Sequence, residues 1–201
     1  MNPFKKSALK RAIVQSSQVL ETVRGPQSGG RQIRSRLKER PMQRITPFLW
    51  YSTEAEAAAT FYTDIFPESR IVRITAMPSE SPSGPPGTVK VVEFVLFGQP
   101  FVAMSAGPLD RFNHAISFVV NCADQAEIDR YWDALVEGGK AEQCGWLKDR
   151  YGLSWQIVPT VLGEMMADFD RAKAKRASDA MMKMVKLDIA RLKAAYAGKA
   201  A

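Results

Sequence analysis

The sequence predicts an α+β fold in which one unit of strand, helix and hairpin occurs twice. The first copy reads ITPFLWYSTEAEAAATFYTDIF, then RIVRITAM and TVKVVEFVLFGQPFVAM. The second reads NHAISFVVNCADQAEIDRYWDAL, then EQCGWLKDRYGLSWQIV. Each copy has a helix with an aromatic pair, Phe61-Tyr62 or Tyr131-Trp132, and a closing hairpin around a glycine. Because a repeated pattern indicates a repeated unit of structure, we expect two tandem βαβββ modules.

The first module is predicted to span about residues 45–106. Ile45–Tyr51 alternates like a strand, and Ser52 or Thr53 followed by Glu56 resembles a capping box before a helix over 54–65. Residues 78–87 are nearly all turn formers and predict a mobile loop. Three more strands are predicted from β-branched and apolar runs: Arg70–Ala76, Thr88–Phe97 and Pro100–Ser105, the last two joined through Gly98-Gln99.

The second module, about residues 112–160, repeats this order and is followed by a helical tail over 161–201. His114–Asn121 predicts a strand, Asp124 caps a helix that ends at Gly138-Gly139, and two or three shorter strands finish at Pro159. The tail holds an amphipathic segment over about 170–186 and a helix that Asp188 caps. Its methionine stripe is typical of packing, so we expect the tail to pack on the domain or on a second subunit.

The composition is that of an ordinary globular protein, with 46% hydrophobic and 24% charged residues. No apolar run approaches the roughly 20 residues of a membrane-spanning helix, so no membrane partner is expected. Two cysteines, Cys122 and Cys144, are too few for a disulfide scaffold and lack the CxxC spacing of a zinc site. These observations predict a reducing, cytoplasmic location.

The positive charge is concentrated in residues 1–44, which carry eleven Lys or Arg and two Glu, whereas the remaining 157 residues carry 17 basic and 19 acidic side chains. We expect this segment to be disordered. Three interpretations compete: a basic arm for nucleic acid or anionic membrane, an organelle-targeting segment, or an extension in front of a true start at Met42. We favour the extension, so nucleic acid is a partner only if residues 1–44 are functional.

Four segments resemble the vicinal oxygen chelate superfamily of glyoxalases, bleomycin-resistance proteins and dioxygenases. They are most similar to its PhnB-like branch, labelled 3-demethylubiquinone-9 3-methyltransferase-like. The segments, within about residues 45–198, are ITPFLWYSTEAEAAATFYTDIFPESRI, FNHAISFVVNCADQAEIDRYWDAL, EQCGWLKDRYGLSWQIVPT and KLDIARLKAAYAG. The resemblance implies curved mixed sheets around a cleft that holds the site. In metal-dependent members, two strand residues from each module bind a divalent cation.

The metal positions implied by this resemblance are poorly filled. They fall on His114 and Gln156 in the second module and on Pro47 and Val102 in the first. Proline and valine side chains cannot ligate, and a neutral amide is a poor ligand for zinc. We therefore predict no metal-binding residues and no cofactor, although neighbouring Glu93 has an oxygen for a hard cation.

Two residues are candidates for catalysis. His114 is the only histidine. It is either an ordinary strand histidine, hydrogen-bonded in a cleft wall or partly exposed, or a site residue, because the resemblance places it at a ligand position. In a site, we favour proton transfer or ligand hydrogen bonding over metal ligation. Glu93 lies among apolar neighbours in mid-strand. It is therefore either paired with an Arg or Lys, which we favour, or poised as a base with a raised pKa.

The candidate ligand-binding residues are Gln156 and the strand tryptophans Trp50, Trp146 and Trp155. Most strand aromatics belong to a core, but one or two that line a cleft suit a flat, aromatic or quinone-like molecule.

Three functions remain open after a methyltransferase of the ubiquinone pathway is set aside, because no strand is followed by a glycine-rich GxGxG turn. The first is a protein that binds a small molecule between its modules without a complete metal site. The second is an enzyme, either a metal-assisted lyase, isomerase or dioxygenase, or a metal-free catalyst of proton transfer. The third is a structural or regulatory dimer. We expect the first, in a homodimer.

Overall fold

Two βαβββ modules and a helical tail follow one another in the computed structural model, which describes residues 44–108 and 111–199. The paired modules and the α+β class agree with the prediction. The interpretation of the basic segment 1–44 falls, except for Arg44, outside the described residues.

The first module forms a four-stranded mixed sheet with one helix. Its elements are β1 (Phe48–Tyr51), α1 (Ala55–Ile65), β2 (Arg70–Ala76), β3 (Lys90–Leu96) and β4 (Gln99–Ser105). The strand order is β1-β4-β3-β2, with β1 and β4 parallel and the other pairs antiparallel. The β3–β4 hairpin turns at Phe97 and Gly98, both with positive φ, one residue before the predicted turn at Gly98-Gln99.

The start of α1 differs from the predicted capping box. The helix has no cap from Ser52 or Thr53; instead, the backbone N–H of Ala55 donates to Ser105 Oγ at 3.0 Å. Ser105 is the last residue of β4, which pairs with β1 through Tyr51. The cap therefore comes from a residue fifty positions away, which local sequence patterns cannot reveal.

The second module repeats this topology. Its elements are β5 (Phe118–Cys122), α2 (Gln125–Val136), β6 (Lys140–Ala141), β7 (Trp146–Lys148) and β8 (Ser154–Pro159), in the sheet order β5-β8-β7-β6. Asp124 caps α2 as predicted, because its Oδ1 accepts from the N–H of Glu127 at 2.9 Å. The first strand begins at Phe118 rather than at His114. Asn113 Oδ1 accepts from the N–H of Ala115 at 2.8 Å, which forms a turn where the strand was predicted.

One apolar core joins the two modules. Tyr62 of α1 contacts Phe94 of β3 and Trp155 of β8, with ring centroids 6.4 and 5.4 Å apart. Phe101 of β4 contacts Phe118 of β5 at 5.2 Å. Because side chains alternate across a strand, the residues between these core positions lie on the opposite face of each sheet. We call these the first and second outer faces. The first carries Trp50, Arg73, Glu93 and Val102, and the second carries Val119, Trp146, Lys148 and Gln156.

The helical tail packs against the second module. Its helices are α3 (Thr160–Ala167), which was not predicted, α4 (Arg171–Met181) and α5 (Ile189–Tyr196). Gln125 of α2 joins the tail: its Oε1 accepts from the N–H of Ile189 at 2.9 Å, and its Nε2 donates to the carbonyl of Leu187 at 3.2 Å. One buried apolar cluster of the tail consists of Leu162, Met165, Ala177, Met184, Leu187 and Leu192. Within the part of the chain that the structure describes, no helix is long and apolar enough to cross a membrane.

Candidate functional site

A row of three side chains crosses the second outer face at Gln156. In the strand register Gln156 of β8 lies opposite Trp146 of β7 on one side and opposite Val119 of β5 on the other. Gln156 and Trp146 are both partly exposed. The Nε2 of Gln156 donates to Ser117 Oγ at 2.8 Å, which fixes the orientation of the amide. The row therefore places a flat apolar surface beside an oriented hydrogen-bonding group.

His114 lies at the edge of this row, although it is not on a strand. Its Nε2 is 2.7 Å from Glu142 Oε2, and its ring centroid is 6.2 Å from that of Trp146. The His114 side chain is 53% exposed, whereas that of Glu142 is 20% exposed. An imidazole–carboxylate pair therefore stands next to the indole, with the imidazole accessible to solvent.

The first outer face carries a second charged pair. Arg73 of β2 lies opposite Glu93 of β3, and its Nη2 and Nε donate to Glu93 Oε1 at 2.6 and 3.2 Å. The structure thus provides the arginine partner that we favoured for Glu93. Trp50 lies on the same face, where its Nε1 donates to the carbonyl of Gly107 at 2.9 Å.

The two candidate catalytic residues lie in different ion pairs. Glu93 is held by Arg73 on the first sheet, and His114 is held by Glu142 beside the second. No hydrogen bond or ion pair among the described residues joins Glu93 to His114. Proton transfer between these two side chains therefore has no support in these contacts.

Trp155 does not lie with the other candidate ligand-binding residues. It is 3% exposed, contacts Tyr62, and donates from Nε1 to Asp149 Oδ2 at 2.8 Å. Its position between Ser154 and Gln156 points its ring into the core. A ligand on the outer face cannot reach this ring, so the ligand-binding prediction for Trp155 does not hold in this structure.

The strand register also tests whether the chain fits the divalent cation of metal-dependent relatives. In each module a parallel pair joins the first strand to the last: Phe48 with Val102, and Val119 with Gln156. Pro47 precedes β1 and His114 lies four residues before β5, so neither occupies the first-strand position of its pair. Gln156 is the only one of the four with a ligating side chain. Among residues 44–108 and 111–199, no three His, Cys, Asp or Glu are grouped to hold a metal ion. These residues do not fit the cation.

Asp149, in the turn between β7 and β8, was missed by the sequence analysis. It is 3% exposed, and its carboxylate accepts four hydrogen bonds. The donors are Tyr62 Oη at 2.7 Å, Trp155 Nε1 at 2.8 Å, and the backbone N–H groups of Tyr151 and Leu153 at 2.9 and 3.0 Å. Burial raises the pKa of Asp149, and these hydrogen bonds oppose the rise. An Asp three residues before Gly152 indicates a turn, but its contact with Tyr62 is tertiary.

The family of the chain is established by sequence comparison. The family model for 3-demethylubiquinone-9 3-methyltransferase matches residues 43–158, more than half of the chain. The chain belongs to this family. Its match ends at Val158, so helices α3–α5 of this 3-demethylubiquinone-9 3-methyltransferase family member lie outside the matched residues.

Solved structures that are similar to this family member include a PhnB protein and a fosfomycin resistance protein. A PhnB protein from Bacillus cereus, provisionally described as a 3-demethylubiquinone-9 3-methyltransferase, is 35% identical with a TM-score of 0.52, over 59% of this chain and 100% of that one. The fosfomycin resistance protein FosX from Listeria monocytogenes is 13% identical with a TM-score of 0.46, over 64% of this chain and 100% of that one. No curated protein matches the chain.

Proposed function

We propose that this family member binds a small, flat molecule, aromatic or quinone-like, at the outer faces of its sheets and without a complete metal site. The row of Val119, Gln156 and Trp146 carries the proposal. An indole surface suits a planar ring, and the neighbouring Gln156 amide and His114 imidazole supply hydrogen bonds that orient it. Ligand pockets combine such an apolar surface with a few placed polar groups.

The first outer face offers a second surface of similar composition. Trp50 adds a second indole, held by its hydrogen bond to Gly107, and the Arg73–Glu93 pair adds charged groups that already have partners. A paired carboxylate has less drive to bind a cation than a free one, because its charge is already compensated. Together with Phe48 and Val102 at the first parallel pair, this composition supports binding of an organic molecule over binding of a metal ion.

We also propose that the protein is a homodimer. Large apolar side chains outside the proposed ligand row are exposed in one chain: Phe48 is 40% exposed and Ile116 is 69% exposed. A second copy that covers these side chains would remove apolar surface from water. Light scattering of the purified protein tests this proposal, and a monomeric mass at micromolar concentration would refute it.

Binding is tested by titrating the protein with menadione, naphthalene-2-carboxylate and naphthalene-2-carboxamide by calorimetry, with EDTA present. Trp146→Leu and Gln156→Leu are expected to weaken binding by about tenfold each, because each removes a contact worth roughly 1–2 kcal/mol. Phe169→Leu is the control, since Phe169 is fully exposed in the tail, between α3 and α4 and outside both outer faces. Failure of all three compounds to bind would contradict the proposed ligand class.

A further inference from the structure

Two lysines lie opposite each other on the second outer face. Lys140 of β6 and Lys148 of β7 are directly paired in the strand register. Their neighbour Leu147 is fully buried in the core, so by alternation both lysines share the outer face with Trp146. Like charges at directly opposite positions of an antiparallel pair destabilise a sheet. The pair therefore carries a cost that a bound anion would remove.

Neither lysine has a carboxylate partner among the described residues. The acid nearest in sequence on this face, Glu142, is 2.7 Å from the imidazole of His114. Glu137 pairs with Arg150 at 3.2 Å. The neighbouring Asp149 is buried in the core and bonded to Tyr62 and Trp155. The remaining ion pairs of the described residues involve other cations.

Ser154 adds an unsatisfied hydroxyl at the same place. It is the β8 residue directly opposite Lys148. Ser154 is fully buried, and in the part of the chain that the structure describes, its Oγ is the one buried side-chain nitrogen or oxygen that lacks a hydrogen-bond partner. A buried hydroxyl without a partner is costly, and such groups are uncommon in folded proteins. This observation is independent of the lysine pair and points to the same position.

We propose that Lys140, Lys148 and Ser154 form a subsite for the anionic oxygens of a ligand whose ring lies on Trp146. Lysine is a compact cation that binds carboxylate or phosphate oxygens through charge-assisted hydrogen bonds. Trp146 is two residues from Lys148 on the same strand and the same face, a separation of about 7 Å. That distance matches an aromatic ring with an acidic substituent. The inference rests on the proposed function and narrows its ligand to a planar aromatic acid.

The subsite is tested by comparing naphthalene-2-carboxylate with its uncharged amide, which has the same ring. The wild-type protein is expected to bind the acid about tenfold more tightly, as expected for one charge-assisted contact. Lys140→Gln/Lys148→Gln is expected to lose this preference while it still binds the amide. Lys175→Gln, which removes a lysine paired with Asp179 in the tail, is the control and should keep the preference.

Inorganic phosphate separates this inference from the proposed function, because it has no ring. Millimolar phosphate is expected to raise the melting temperature of the wild-type and Lys175→Gln proteins, but not that of the double variant. In Ser154→Ala, phosphate is expected to raise the melting temperature by less than in the wild type but by more than in the double variant. Suppose that the naphthalene acid and amide bind equally well and that phosphate does not raise the melting temperature through the two lysines. This result would overturn the subsite and leave the proposed ring binding intact. A lysine-dependent phosphate shift without binding of either naphthalene would support the subsite and contradict the ring-binding proposal.

Discussion

Tyr62 of α1 donates a 2.7 Å hydrogen bond to Asp149, in the turn between β7 and β8. The bond joins the helix of the first module to the hairpin that carries Trp146 and Gln156. Tyr51 extends the network, with its hydroxyl 3.1 Å from that of Tyr62. The adjacent Arg150 instead lies over the ring of Phe61, at 4.5 Å. The Asp149 carboxylate is therefore held by uncharged donors, and the hairpin of the proposed site is positioned by a contact between modules.

Removing this bond is expected to destabilise the protein without changing its fold. Tyr62→Phe should lower the free energy of unfolding by about 1–2 kcal/mol, because it leaves a buried carboxylate one donor short. Tyr131→Phe is the matched control: Tyr131 occupies the aromatic pair of α2, is 2% exposed, and its hydroxyl makes no hydrogen bond with the described residues. Urea unfolding measures both variants. Equal losses would show that the Tyr62–Asp149 bond contributes nothing of its own.

Stability should depend on pH through Asp149, with a defined sign. Because burial raises its pKa, Asp149 keeps its proton to a higher pH in the folded chain than in the unfolded chain, where an Asp titrates at about pH 4. The contribution of this group is therefore complete below the unfolded pKa and declines as the pH rises through the raised value. The stability difference between wild type and Asp149→Asn, measured by urea unfolding from pH 4 to 8, should shrink as the pH increases. A difference that grows over this range would contradict the raised pKa.

The start of α1 should depend on Ser105 and not on the hydroxyls predicted to cap it. Ser105→Ala should lower the free energy of unfolding by about 1 kcal/mol, since it removes the acceptor for the N–H of Ala55. Thr53→Ala should be nearly neutral, because the Thr53 side chain makes no capping bond. Thermal melts of the two variants show whether Ser105 or Thr53 stabilises the start of α1. A larger loss of stability in Thr53→Ala than in Ser105→Ala would show that the predicted local capping box forms.

The fold could be predicted from the sequence because its signals are local and occur twice. The run RIVRITA gave strand β2 with its observed bounds, and Asp124 and Asp188 cap α2 and α5 as expected. The errors arose where a local signal was weak or ambiguous. His114–Ser117 has the composition of a strand, but the Asn113 side chain forms a turn there. The methionine-rich residues of α3 lack a polar cap, so its start was not detected.

The candidate site was predictable only in part. Gln156 and Trp146 share the second outer face, as the alternation of side chains along β7 and β8 predicts. Trp155, the neighbour of Gln156, points to the opposite face and lies in the core. A cationic partner was expected for Glu93, but only the pairing of β2 with β3 shows that this partner is Arg73. Asp149 and the Lys140–Lys148 pair could not be found from sequence. Asp149 is distinguished by its contact with Tyr62 of the other module, and the two lysines are brought together by the pairing of β6 with β7.

Metal content and cation-dependent melting show whether the ligand site lacks a complete metal centre. Protein purified without a metal-affinity tag should contain no stoichiometric metal, and Mn²⁺, Fe²⁺, Ni²⁺, Zn²⁺ and Mg²⁺ should leave its melting temperature unchanged. This follows from Phe48, Val102 and Val119, which occupy three of the four strand positions with apolar side chains. One bound equivalent of metal, with a melting temperature that a single cation raises in the wild type but no longer raises in Gln156→Ala or His114→Ala, would establish a metal centre in this chain.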